Sequence, residues 1–109
     1  MESDFRPGRC QACEGGVKPL AQEALERALQ DLPHWQVVDG ALERRTTFRN
    51  FFETMAFVNA LAWIAQREDH HPDLQVSYGT CVIRYQTHAV GAITENDLIC
   101  ARAIESLLA

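Results

Sequence analysis

The sequence has no basic run longer than Arg44-Arg45, and Glu43 flanks that pair. Its 15 acidic side chains outnumber the 10 basic ones, giving a formal net charge of −5 with all 4 histidines neutral. Nucleic-acid binders draw much of their affinity from phosphate neutralisation, so no nucleic-acid partner is expected. A polybasic membrane anchor is excluded on the same ground. Long apolar runs are missing too: the strongest, Ala56 to Ala65, is broken by Asn59 and falls short of a membrane span. The start of the chain carries Glu2, Asp4, Arg6 and Arg9 and lacks the apolar centre of a secretory signal. A cytoplasmic protein without a membrane partner is the expectation. With 6 glycines and 4 prolines, collagen-like and low-complexity readings fail. The 109 residues make one domain, long enough to bury a core without disulfides or a structural metal.

Four cysteines then need a reading in a reducing compartment. Cys10-Gln-Ala-Cys13 has the spacing of half a zinc site or of a redox pair. No second pair completes a zinc site, because Cys81 and Cys100 stand apart. The motif also lies in a Gly-rich leader rather than after a strand. Unpaired thiols in a loose extension are the simpler reading; a regulatory metal site using Cys10, Cys13 and a histidine is the alternative.

Residues 1–18 read as a poorly ordered extension and residues 19–109 as a single domain. Leu20, Ala21, Ala24, Leu25, Ala28, Leu29 and Leu32 recur at helical spacing until Pro33. Trp35 to Val38 and Ala41 to Phe48 flank Asp39-Gly40, a pair suited to a tight hairpin turn. The second of these strands is polar enough to be an edge. From Asn50 to Glu68 the helical period returns, with Phe51, Met55, Val58, Leu61, Ala62 and Ala65 on one stripe. Phe52 and Trp63 lie on a second face, which a neighbouring loop or strand would cover or, as the favoured reading, a subunit contact. Leu74, Val76 and Tyr78 begin another hairpin, Gly79 turns it, and Thr80 to Gln86 returns. Thr94 with Asp97 forms an acidic capping box for a last helix whose stripe is Cys100, Ala101, Ile104, Leu107 and Leu108. The order α-β-β-α-β-β-α implies an α+β domain, a four-stranded antiparallel sheet with helices on one face.

His70 and His71 precede the second hairpin and His88 follows it, so the hairpin should bring all three imidazoles to one end of the sheet. Imidazole exchanges protons near neutrality, which suits general acid–base chemistry or a metal. Adjacent residues in extended backbone face opposite ways, and Pro72 holds His71 extended. That argues against His70 and His71 sharing an ion. Taken singly, a His-His pair reads as a surface turn, and capping alone accounts for Asp97.

Asp69-His70-His71-Pro72, Tyr78, Thr87-His88, Gly91 and Thr94-Glu95-Asn96-Asp97 together resemble the signature of the pterin-4a-carbinolamine dehydratases. The likeness runs from Leu20 to Leu108 and takes in Trp35, the aromatic segment Phe48 to Phe52 and the cysteine leader. It implies dehydration of a 4a-hydroxytetrahydropterin to the quinonoid dihydropterin, which recycles the cofactor of aromatic amino-acid hydroxylases. No metal and no bound cofactor is implied. His70, His71 and His88 fall on the family's catalytic histidines, with His71 and His88 the principal acid–base pair. Asp69, Pro72, Thr87, Ala89 and Asp97 fall on substrate-binding positions. A homodimer or homotetramer through the Asn50–Glu68 helix is implied as well. Two departures stand out: Gln66 where many relatives carry an acid, leaving Glu68 or Asp69 to replace it, and Ala92-Ile93 for Gly-Leu before the cap. The rival function is a non-catalytic dimerisation or coactivator module.

Overall fold

A computed structural model describes Arg9, Cys10 and residues 17–109. The rest of the N-terminal extension, Cys13 included, lies outside the described residues. Helix α1 is Gln22–Gln30. Strands β1 (Gln36–Val38) and β2 (Ala41–Thr47) follow. Asp39 and Gly40 join them with φ of 49° and 78°, the left-handed pair that a two-residue hairpin demands. Helix α2 runs Phe51–Glu68, and its N-cap Asn50 accepts a hydrogen bond from the Glu53 amide. Strands β3 (Asp73–Val76) and β4 (Thr80–Tyr85) precede helix α3, Glu95–Leu108.

The four strands form one antiparallel sheet in the order β1-β2-β4-β3. Its registry pairs inward residues with inward ones: Leu42 with Tyr85, Arg44 with Ile83, and Thr46 with Cys81. Leu42, Cys81, Ile83 and Tyr85 are sealed from solvent beneath Leu25, Phe57, Leu61, Leu98 and Ile104 of the helices. Val82 and Arg84 keep partial exposure on the opposite face. The expected α+β architecture and element order are therefore present, with one apolar sheet face under the helices. Arg44 reaches Glu105 of α3 at 3.1 Å, and the same carboxylate accepts from the Trp35 indole at 2.7 Å.

Three expectations need correction. β2 is internal, not an edge; its arginines obscured that, and Arg44 is accommodated because α3 supplies Glu105. On α2 the buried side chains are Thr54, Phe57, Leu61, Ile64, Ala65 and Glu68, so the stripe is rotated from the one expected. Phe51 and Ala62 face out, and polar Thr54 faces in because its hydroxyl reaches the Asn50 and Tyr78 carbonyls. On α3, Leu107 is exposed and Leu98 takes its place in the core.

Candidate active site

The end of α2 sets the geometry. Asp69 adopts left-handed backbone (φ 51°, ψ 43°), and its amide and that of His70 close the helix onto Gln66 and Ala65 carbonyls. The reversal turns His70 into the core while Asp69 and His71 remain exposed. His70 lies nearly parallel to the Tyr85 ring, with centroids 5.3 Å apart, and the Tyr85 hydroxyl donates to the His70 carbonyl at 3.1 Å.

His70 Nε2 meets Asp97 Oδ1 at 2.6 Å, with both side chains buried. The other carboxylate oxygen, Oδ2, accepts from the Thr94 amide at 2.8 Å and the Thr87 hydroxyl at 3.0 Å. Thr87 and Thr94 hydroxyls are themselves 2.7 Å apart. One carboxylate thus fastens three segments: the turn after α2, the loop after β4 and the first turn of α3. The capping box foreseen at Thr94 and Asp97 is present. It accounts for half of the carboxylate only.

Burial alone lowers the pKa of His70, but the bond to Asp97 and its charge outweigh that, and the net shift is upward. Burial acts the other way on the Tyr85 phenol, raising it.

His88 and Ala89 occupy an exposed turn clamped by a Thr87–Ala92 bridge. The Thr87 carbonyl accepts from the Val90 and Gly91 amides, and the His88 carbonyl from Gly91. β4 ends at Tyr85, so His88 lies in this turn beyond the end of the strand. Pro72 is half-buried, whereas Thr87 and Asp97 have no exposed surface. Both carboxylate oxygens of Asp97 are engaged by groups of the protein itself. Tyr85 and Thr94 belong to the same cluster and were not among the expected site residues; alternation along β4 marks Tyr85 as inward, but nothing in the sequence marks its hydroxyl.

Glu68 is engaged by the N-terminal segment and its own helix. Its carboxylate accepts from the Cys10 amide at 2.8 Å and from Arg67 at 2.9 Å, and it pairs with Arg9. Desolvation raises its pKa, yet these donors prevail and hold it below the usual range. Cys10 is buried rather than loose. Among the described residues, no group of three or more His, Cys, Asp or Glu side chains is placed to hold a metal.

Comparison with known proteins matches residues 18–107 to the family described as pterin 4 alpha carbinolamine dehydratase. A Nitrosomonas europaea protein named for pterin-4-alpha-carbinolamine dehydratase is 48% identical over 105 residues, covering 95% of this chain and 93% of its own. A Legionella pneumophila (strain Corby) protein of the same name is 45% identical over 111 residues, covering 99% and 98%. A crystal structure described as a transcriptional coactivator/pterin dehydratase from Brucella melitensis superposes with a TM-score of 0.81 at 29% identity, over 84% of this chain and 100% of that one.

Proposed function

The chain belongs to the pterin 4 alpha carbinolamine dehydratase family, and from that premise we propose that it removes water from a 4a-hydroxytetrahydropterin to give the quinonoid dihydropterin. The observation that carries this reading is the buried Asp97 carboxylate, which holds His70 directly and the root of the His88 turn through Thr87. Loss of the C4a hydroxyl needs one proton delivered to the departing oxygen and another taken from a ring nitrogen. His71 and His88, both exposed, perform these transfers. His70 is buried and tied through Nε2, which leaves Nδ1 to position the pterin. Exposed Asp69 takes over from Gln66 as the nearby acid, since Glu68 is engaged elsewhere. The product feeds an aromatic amino-acid hydroxylase, and the site needs no metal.

The test mixes freshly generated 4a-hydroxytetrahydropterin with the protein and follows the quinonoid product by ultraviolet absorbance. Clear acceleration is expected, falling by roughly 10²-fold or more in His71→Ala and in His88→Ala. A wild-type rate no faster than the spontaneous one overturns the reading.

A second reading rests on α2, where Phe52 and Trp63 are 81% and 64% exposed. Such aromatic exposure favours a subunit contact, giving a homodimer or homotetramer. The coactivator part of the Brucella protein's description makes a protein-binding role the alternative use of the same face.

A further inference from the structure

Cys10 and Cys100 are 90 residues apart in the chain, yet their sulfurs lie 3.7 Å from each other. Cys10 is 8% exposed and covers Cys100, which is fully buried. The Cys10 backbone is pinned independently, its amide donating to Glu68 Oε1 at 2.8 Å, and its thiol lies 3.5 Å from the Asn96 carbonyl. Two helices, α2 through Glu68 and α3 through Asn96, thus hold Cys10 beside Cys100. Cys81, also buried, has no sulfur partner among the described residues.

We propose that Cys10 and Cys100 form an oxidisable dithiol that a hydroperoxide closes to a disulfide, fastening the N-terminal segment to α3 one turn beyond Asp97. One sulfur, as thiolate, attacks the peroxide O–O bond and becomes a sulfenic acid while the first oxygen leaves as water. The second sulfur attacks that sulfenic sulfur, the S–S bond forms, and the hydroxyl leaves as a second water. The two thiol protons go to the two waters; the sulfurs give up two electrons and hydrogen peroxide accepts them. Contact at 3.7 Å must shorten to about 2.05 Å, a movement that side-chain rotation and a small shift of the terminal segment supply. Cys10, the thiol with exposed surface, meets the peroxide; the contact between the two thiols pushes the Cys10 pKa up and, against desolvation, holds that of Cys100 down, which readies Cys100 as the thiolate that attacks the sulfenic sulfur. None of this depends on the reaction the histidines perform.

The test treats the full-length protein with hydrogen peroxide in the presence of a chelator, traps remaining thiols with N-ethylmaleimide, and maps cross-links by mass spectrometry. A fall from four alkylated cysteines to two is expected, with a Cys10–Cys100 linked peptide and a melting temperature about 5 °C or more higher, reversed by dithiothreitol. Cys13→Ser should keep the cross-link, whereas Cys10→Ser and Cys100→Ser should each lose it; circular dichroism checks that both still fold. A Cys10–Cys13 link, an intermolecular link, or four thiols still free in the oxidised protein overturns the proposal.

Discussion

Asp97 supports two demands with one side chain, and its two oxygens separate them. Replacing it with Asn keeps the size but removes the charge that raises the pKa of His70. The raised His70 contributes stability that is fully present below its unfolded pKa of about 6.5 and is lost as pH rises through its folded pKa. In Asp97→Asn that component disappears, so urea midpoints measured from pH 5.5 to 8.5 should show a smaller loss toward high pH than wild type. On the proposed mechanism activity should also fall about ten- to a hundredfold, because the charge that holds His70 in place is gone. Asp97→Ala also strips the Thr94 amide and Thr87 hydroxyl of their acceptor, and should cost about 2–4 kcal/mol in denaturant titrations. Asp69 offers a different residue-scale test. Its left-handed backbone suits Asp, Asn or Gly and opposes branching at Cβ. Asp69→Val should lose about 1–2 kcal/mol while Asp69→Gly stays near neutral, as thermal unfolding will report.

Among the elements, the β3–β4 hairpin is keyed to the chain beside it through its turn. A Cβ on Gly79 would meet the Phe48 carbonyl oxygen at 2.8 Å, and that same Phe48 donates its amide to the Gly79 carbonyl at 2.8 Å. Backbone on both sides leaves nothing to rotate away. Gly79→Ala should therefore destabilise the protein by about 1–3 kcal/mol in thermal melts, although its φ is unremarkable. At this scale the sequence was most readable. Turn chemistry at Asp39-Gly40 and the Thr94 box each act within a few residues, and each appears where local pattern set it. Failures came wherever a distant partner changed the meaning of a residue. Arg44 read as an edge residue because Glu105 of α3 is invisible from β2. Thr54 is absent from the expected stripe because its acceptor, the Tyr78 carbonyl, lies 24 residues on. The second oxygen of Asp97 likewise has a use only once residue 70, 27 positions earlier, is placed beside it.

For the whole molecule, the aromatic face of α2 bears on assembly. Phe52→Glu combined with Trp63→Glu should shift the mass in light scattering toward monomer, and both side chains are exposed, so the fold should survive. An unchanged mass removes the subunit-contact reading. The same face has a less obvious reach. The Arg67 guanidinium lies 4.9 Å over the Trp63 ring and bonds through Nε to Glu68, whose carboxylate holds Cys10. A partner that covers Trp63 dehydrates this guanidinium and so strengthens its attraction to Glu68. Free energy gained there is shared with the seat of the N-terminal residues. If the proposed association occurs at this face, it and the seating of Arg9 and Cys10 favour each other to the same degree, whichever happens first.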